Sequence, residues 1–130
     1  MRLLLDTHIA LWAVTADAKL SREARRLIDG ADEATVSVVA IWEISIKHAL
    51  TAKRRDHMVL SGREARVQFL DAGFTVLPIT AQHAAAVDDL PPHHGDPFDR
   101  MLVAQATCES MRLLTADKDL AAYGAMVLLV

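Results

Sequence analysis

The sequence predicts an α/β fold in which a central parallel sheet of four to five strands is covered by helices on both faces. Short leucine-rich or β-branched segments alternate along the chain with longer segments of helical periodicity. Strands that alternate with helices form parallel sheets joined by right-handed crossovers. The length of 130 residues and the 52% share of hydrophobic residues fit one compact domain with its own core, which we expect to span residues 1–130.

The first half of the chain predicts two strands and three helices. Residues 3–5 form a short apolar run typical of a buried strand, and the apolar spacing in 7–14 indicates a helix. A serine at position 21 can cap a helix that continues to residue 28 with alternating buried and charged positions. Residues 35–38 are rich in β-branched side chains and predict a second strand. A helix over about 40–49 follows it.

The second half predicts three more helices and two or three more strands. The segment 61–72 begins with a capping serine and is followed by a glycine, which marks a helix with both ends defined. The β-branched run 75–77 is closed by a proline and predicts a strand. A threonine at position 80 can cap a helix to about residue 90, before the proline-rich loop 91–95. The remaining predicted elements are the helix 96–110 and the strands 113–114 and 127–130.

Composition and charge limit the compartments and partners. No apolar run is long enough to span a membrane, and an acidic residue at position 6 comes too early for a signal peptide. The one cysteine, Cys108, excludes an internal disulfide, and its helical, apolar surroundings predict a buried thiol. We therefore expect a cytoplasmic protein with no membrane partner.

The net charge of −3 provides no general basic surface for nucleic acid. The best local basic run is Lys53, Arg54 and Arg55, with His57 close by. This run can bind a nucleic-acid backbone, or it can be the solvated end of the preceding helix. The sequence leaves both interpretations open.

Four acidic residues stand inside or directly after apolar segments: Asp6, Glu43, Asp99 and Asp117. Asp6 and Asp117 follow predicted strands, whereas Glu43 and Asp99 lie early in helices that begin at the same end of the sheet. Ligands of open α/β sheets bind beyond the carboxyl ends of the strands, so the topology gathers all four acids there. Because isolated buried carboxylates are costly and oxygen ligands suit Mg²⁺ or Mn²⁺, a divalent cation is the simplest compensating partner.

Each acid also has a purely structural interpretation. Asp6 and Asp117 can cap the helical segments that follow them, and Glu43 can form a helix ion pair with Lys47. Asp96 stands at an N-cap before a proline, and Asp99 falls where the acid of a capping box lies. The convergence of several acids by topology favours function over these separate explanations.

Other catalytic chemistries find little support in the sequence. The six histidines show no zinc pattern, because His93 and His94 are adjacent and no cysteine pair accompanies them. The chain contains no glycine-rich phosphate loop and no nucleophile elbow around a serine. A divalent cation in an acidic pocket, by contrast, can activate water and reverse the local charge, so that a net acidic protein can cut nucleic acid.

The residues around the acids resemble those of a known family. The matching stretches are Leu4-Leu5-Asp6-Thr7-His8, Ser37-Val38-Val39-Ala40-Ile41-Trp42-Glu43-Ile44-Ser45-Ile46-Lys47, His94-Gly95-Asp96-Pro97-Phe98-Asp99-Arg100-Met101-Leu102-Val103-Ala104-Gln105-Ala106, Leu114-Thr115-Ala116-Asp117-Lys118-Asp119 and Tyr123-Gly124. In this order they are similar to PIN-domain ribonucleases, and more closely to VapC-type toxins of bacterial type II toxin–antitoxin systems. The Asp-Pro-Phe-Asp-Arg segment is the most specific of them. The resemblance runs nearly from end to end of the chain.

This resemblance implies a Mg²⁺-dependent endoribonuclease that cleaves RNA with metal-activated water, with Mn²⁺ as a substitute ion. The catalytic residues that it implies are Asp6, Glu43, Asp99 and Asp117. Of these, Asp6 and Asp99 match the direct metal ligands. Asp96, Thr7 and Thr115 match accessory positions. We predict in addition that Lys53, Arg54, Arg55 and Arg100 bind the substrate.

The resemblance further implies a homodimer and a VapB-type antitoxin protein that blocks the site. One departure from the family is the sequence after the Glu43 helix, 51–56, where many relatives have a glycine-containing turn. Two alternatives remain open at this stage. The chain could be a Mg²⁺-binding phospho-acceptor signalling domain, for which Lys118 is the nearest candidate lysine, or a non-catalytic PIN-like interaction domain.

Overall fold

The computed structural model describes residues 1–54 and 58–130. Within them, five strands form one sheet in the order β3-β2-β1-β4-β5, and every neighbouring pair is parallel. The strands are β1 (Arg2–Leu5), β2 (Glu33–Ser37), β3 (Thr75–Leu77), β4 (Arg112–Thr115) and β5 (Val127–Leu129). The α-helices are α1 (Thr7–Val14), α2 (Arg22–Gly30), α3 (Val38–Leu50), α4 (Gly62–Asp71), α5 (Ala81–Ala86) and α6 (Pro97–Cys108). Two 3₁₀ helices cover Val87–Asp89 and Lys118–Tyr123.

The central strand β1 brings distant parts of the chain together. Leu4 lies beside Thr35 of β2 on one side and beside Leu113 of β4 on the other. The pairing continues past the end of β1, where the N–H of Asp6 donates to the carbonyl of Leu114 at 3.0 Å. The carboxyl ends of β1 and β4 therefore meet, and the residues that follow them share one edge of the sheet.

Two apolar cores, one on each face of the sheet, confirm the predicted double-sided covering. Successive side chains of a strand point to opposite faces. Leu3 and Leu5 accordingly pack with residues of α1 to α4, whereas Leu4 packs with residues of α6. The largest buried partners on the two faces include Ile9, Ile28, Ile44 and Phe69 on the first, and Leu102, Val103 and Leu120 on the second.

Several helix boundaries follow the predicted capping residues. The side chains of Ser21, Ser61 and Thr80 each accept a hydrogen bond from a backbone N–H in the first turn of the helix that follows. Gly73 has a φ of +83°, a conformation that glycine adopts without strain, and it follows the C-terminal end of α4 as predicted. Each of these signals lies within a few residues of the helix end that it marks, so it can be recognised from the sequence alone.

Three local expectations were wrong. Val38 begins α3 instead of ending β2, because the hydroxyl of Ser37 accepts from the N–H of Val39 and caps the helix there. The helix predicted to reach residue 90 ends at Ala86 and continues as a 3₁₀ turn, because a residue before proline is driven to the extended conformation that Leu90 adopts. Cys108 is partly exposed rather than buried, since it is the last residue of α6.

In the described part of the chain, no helix combines the length and the apolar character needed to cross a membrane.

Candidate active site

The predicted acidic residues meet in one cavity at the carboxyl edge of the sheet. The cavity has a volume of about 450 Å³. Its lining consists of Asp6, His8, Trp12, Glu43, Lys47, His94, Asp96, Asp99, Ala116 and Asp117. All four members of the predicted catalytic set are therefore brought together, from the ends of two strands and the early turns of two helices.

Asp6 is held by hydrogen bonds at both of its carboxylate oxygens. It follows β1 and caps α1, where its Oδ1 accepts from the N–H of Thr7 at 2.7 Å. Its Oδ2 accepts from the hydroxyl of Thr115 at 2.7 Å, and the residue is only 7% exposed. Burial raises the pKa of Asp6 above its ordinary value, although the two hydrogen bonds oppose that rise. Capping and membership of the acidic set thus coexist in this residue.

Glu43 is held by one hydroxyl and one ammonium group. Its Oε1 accepts from the hydroxyl of Thr7 at 2.7 Å, and its Oε2 lies 2.5 Å from Nζ of Lys47. The predicted helix ion pair is therefore present, with Glu43 only 3% exposed. Burial by itself would lower the pKa of Lys47, but the hydrogen bond and charge of Glu43 outweigh burial and raise it. Lys47 thus stays charged and fixes the Glu43 carboxylate.

Asp99 has a carboxyl group with a strongly raised pKa. Its pKa is raised to about 7, first by burial and then by the charges of Asp6, Asp96 and Glu43, while His94 opposes the rise. The negative charge of Asp99 is therefore costly in this position, and a nearby positive charge would reduce that cost.

Asp96 caps α6 through Oδ1, which accepts from the N–H groups of Phe98 and Asp99. The N–H of Asp96 donates to Nδ1 of His94 at 3.0 Å. In a capping box this N–H would instead bond the side chain of Asp99. The capping-box interpretation of Asp99 is therefore wrong, whereas the N-cap role predicted for Asp96 is confirmed.

Asp117 stands beside a histidine that sequence analysis did not select. The N–H of Asp117 donates to the hydroxyl of Thr115 at 3.0 Å, and its Oδ1 accepts from the N–H of Asp119 at 2.9 Å, which confirms the predicted cap. Its Oδ2 lies 3.3 Å from Nε2 of His94. The same nitrogen lies 3.5 Å from Oδ2 of Asp99.

His94 and Asp119 were missed by the sequence analysis. Together with Asp117 they place potential ligand atoms within 4.8 Å of one another, close enough to hold a metal ion. From the sequence, His94 was considered only as a zinc ligand and was rejected. Its position two residues before the N-cap of α6 was the one feature of the sequence that could have indicated a role in the site. Asp119 is exposed and gave no signal beyond its own charge.

The predicted substrate-binding residues are distributed unevenly around the cavity. Arg54 is exposed and lines a second cavity of about 430 Å³, which shares His8 and Lys47 with the first. Lys53 is exposed beside it, and Arg55 lies outside the described residues. Arg100 is absent from the lining of the acidic cavity.

The guanidinium of Arg100 is directed to the loop before α6. It donates to the carbonyl of Pro91 and to the hydroxyl of Tyr123 at 3.0 Å each. It donates also to the carbonyls of Val87 at 3.3 Å and Leu90 at 3.4 Å. These contacts tie Arg100 to the residues before α6 and to Tyr123, and its role in substrate binding stays a prediction.

The donor set of the acidic cavity fits a hard divalent cation. Among the described residues that line it, five are carboxylates and Lys47 is the one lysine or arginine. The raised pKa values of Asp6 and Asp99 reflect burial next to like charges, which a bound cation would offset. Lys118, the lysine considered for a phospho-acceptor site, is exposed and absent from this lining.

Comparison with known proteins gives consistent matches over nearly the whole chain. The model of the PIN domain family matches residues 3–126. Ribonuclease VapC22 from Mycobacterium tuberculosis (strain ATCC 25618 / H37Rv) is 31% identical over 121 residues, which cover 92% of this chain and 90% of the relative.

Two solved structures share the fold at low sequence identity. A chain of a toxin-antitoxin complex from Klebsiella pneumoniae is similar with a TM-score of 0.66 and 17% identity, with 97% of this chain and 95% of that chain covered. VapBC2 from Rickettsia felis, bound to a DNA fragment from their promoter, contains a chain with a TM-score of 0.66 and 14% identity, with coverage of 100% and 98%.

Proposed function

The chain belongs to the PIN-domain family, and on that premise we propose that it is a Mg²⁺-dependent endoribonuclease acting as the toxin of a toxin–antitoxin pair. The single observation that carries this proposal is the gathering of Asp6, Glu43, Asp99 and Asp117 around one cavity. The relative from Mycobacterium tuberculosis is named a ribonuclease, which supports RNA as the substrate.

Asp6 and Asp99 would hold the cation directly, and Glu43 and Asp117 would complete the pocket. When bound, Mg²⁺ or Mn²⁺ supplies an activated water and neutralises the charge that develops on a phosphodiester. Without a cation, the same pocket repels the phosphate backbone, because its lining is predominantly acidic.

The protein's own groups prepare this pocket by fixing the carboxylates. Thr115 and Thr7 hold Asp6 and Glu43 through hydroxyl donors, so that neither acid turns away from the cavity. Lys47 forms an ion pair with Glu43 and holds its side chain in place. Asp96 starts α6 and so sets the position of Asp99 one turn later. Such pre-arranged groups need little reorganisation when the substrate binds.

Partners follow from the same family membership. We propose that a VapB-type antitoxin covers the acidic site and that the chain forms a homodimer. The antitoxin is supported by the solved structures of similar fold, which are toxin–antitoxin complexes. Lys53 and Arg54 are proposed to contact the RNA backbone, because Arg54 lines the cavity adjacent to the acidic one.

The test is RNA cleavage by protein stripped of metal with EDTA and then supplied with Mg²⁺ or Mn²⁺. We expect no cleavage in excess chelator, recovery on addition of either ion, and loss of activity in Asp6→Asn. Asp71→Asn, which changes an exposed carboxylate at the end of α4, is the matched control and should cleave normally. Full cleavage by stripped protein in excess chelator would overturn the proposal.

A further inference from the structure

The hydrogen bonds of His94 determine which of its ring nitrogens carries the proton. Nδ1 lies 3.0 Å from the backbone N–H of Asp96 and accepts its hydrogen. A proton on Nδ1 would point at that N–H group, so the network assigns the proton of the neutral ring to Nε2. The orientation of the ring is thereby tied to the residue that caps α6.

The Nε2–H group then faces two acids from different elements. Asp117, which follows β4, has its Oδ2 at 3.3 Å, and Asp99 of α6 has its Oδ2 at 3.5 Å. One donor therefore lies between two carboxylates that would otherwise repel each other. A ring that donates through Nε2 cannot also bind a metal ion through Nε2, although His94, Asp117 and Asp119 lie close enough for a metal site.

We propose that His94 is a positioning residue that joins Asp99 to Asp117 through Nε2–H and keeps both carboxylates in place for a divalent cation. This inference rests on the proposed function, because it concerns the same cation site. The imidazole acts through the two acids and is not itself a ligand. By limiting the freedom of the two acids before binding, His94 increases the affinity of the site for the ion.

Two substitutions separate the two nitrogens of the ring. In His94→Asn the side-chain oxygen can take the place of Nδ1 and accept from the N–H of Asp96, but no donor reaches the carboxylates. In His94→Gln the longer amide places an N–H near the position of Nε2. Asn therefore preserves the loop contact and removes the proposed function, whereas Gln restores the donor.

The experiment measures binding of Mg²⁺ and Mn²⁺ to the metal-stripped protein by titration calorimetry and by the ion-induced rise in melting temperature, without RNA. We expect His94→Asn to bind each ion about 10-fold more weakly than the unmodified protein, as outer-shell partners of metal ligands do. His94→Gln should recover most of the affinity. Equal affinity in all three proteins would overturn the proposal, and so would equal losses in Asn and Gln, which would make the imidazole a ligand.

Nuclear magnetic resonance gives a readout that needs neither a variant nor a metal. Two-bond ¹H–¹⁵N correlations of the unmodified, metal-free protein should show that the neutral His94 ring carries its proton on Nε2. A neutral ring with its proton on Nδ1 would overturn the proposal. If the unmodified protein binds no divalent ion, the proposed function fails, while this spectrum still decides whether His94 donates to the acids.

Discussion

The hydroxyl of Thr115 donates a hydrogen bond of 2.7 Å to Oδ2 of Asp6, a residue 109 positions earlier in the chain. The hydroxyl oxygen of Thr115 also accepts a hydrogen bond from the N–H of Asp117 at 3.0 Å. Thr115 is completely buried, so this hydroxyl has no water to replace either partner. One small side chain on β4 therefore fixes the acids at the ends of two adjacent strands.

Thr115→Val tests this arrangement, because valine has nearly the shape of threonine but neither donates nor accepts. A buried carboxylate oxygen left without its donor costs about 1–3 kcal/mol, so we expect a lower melting temperature together with reduced RNA cleavage. Thr107→Val is the control, since its hydroxyl donates to the carbonyl of Val103 and to the sulfur of Met126, away from the cavity. Normal melting and cleavage by Thr115→Val would show that the hydroxyl is dispensable.

Asp99→Asn and Asp96→Ala should have opposite effects on stability and function. Asp99 is charged at a cost in the folded, metal-free protein, because burial and neighbouring acids raise its pKa to about 7. Its replacement by asparagine should leave the metal-free melting temperature equal or higher while cleavage is lost. Asp96→Ala removes an N-cap and should lower stability by about 1 kcal/mol while keeping more activity. A markedly lower melting temperature with intact cleavage in Asp99→Asn would mean that Asp99 is structural.

The pH dependence of metal-free stability follows from the same carboxyl group. A carboxyl whose pKa is higher in the folded than in the unfolded state binds its proton more tightly when folded. Its contribution to stability is therefore complete below the ordinary value of 3.8 and is lost as pH rises to about 7. Urea unfolding at several pH values should show the unmodified protein losing stability relative to Asp99→Asn across this range. Parallel curves for the two proteins would contradict the raised pKa.

The basic run after α3 is predicted to bind the RNA backbone. Replacement of Lys53, Arg54 and Arg55 by glutamine should weaken RNA binding and reduce the slope of log affinity against log salt, by about 0.7 for each phosphate that the variant no longer neutralises. The charge-matched control replaces three exposed arginines that line neither of the two adjoining cavities: Arg22, Arg63 and Arg66. If the salt dependence of RNA binding were unchanged in the first variant, the basic run would be the solvated end of the preceding helix and not a contact with RNA.

Variants of Arg100 distinguish a structural role of this residue from a role in substrate binding. Arg100→Lys keeps the charge but cannot reach the carbonyls of Pro91, Val87 and Leu90 and the hydroxyl of Tyr123 together, because an ammonium lacks the planar fork of a guanidinium. We expect a loss of about 1–3 kcal/mol in unfolding free energy, with cleavage per folded molecule retained. A second variant, Arg100→Ala, tests the alternative. Weak RNA binding together with a normal melting temperature in this variant would support the predicted role of Arg100 in substrate binding.

Local patterns were sufficient to predict most of the elements and their order. The helix Thr7–Val14 and the strand Thr75–Leu77 have the predicted bounds. The caps at Ser21, Ser61 and Thr80 were likewise predictable, because a cap joins a side chain to a backbone group only a few residues away. The alternation of strands and helices then required a parallel sheet, and with it the gathering of acids at the carboxyl edge.

Tertiary structure alone decided which group serves which acid. Thr7 bonds Glu43 and Thr115 bonds Asp6, His94 stands between Asp99 and Asp117, and Arg100 turns to the preceding loop. The periodicity of a helix or strand determines the face on which a side chain lies, but not the partner that another element places opposite it. Those partners depend on how helices cross the sheet and on the path of the loop before α6. The helix crossings and the loop path are determined by packing between segments far apart in sequence, and a local sequence pattern contains no information about that packing.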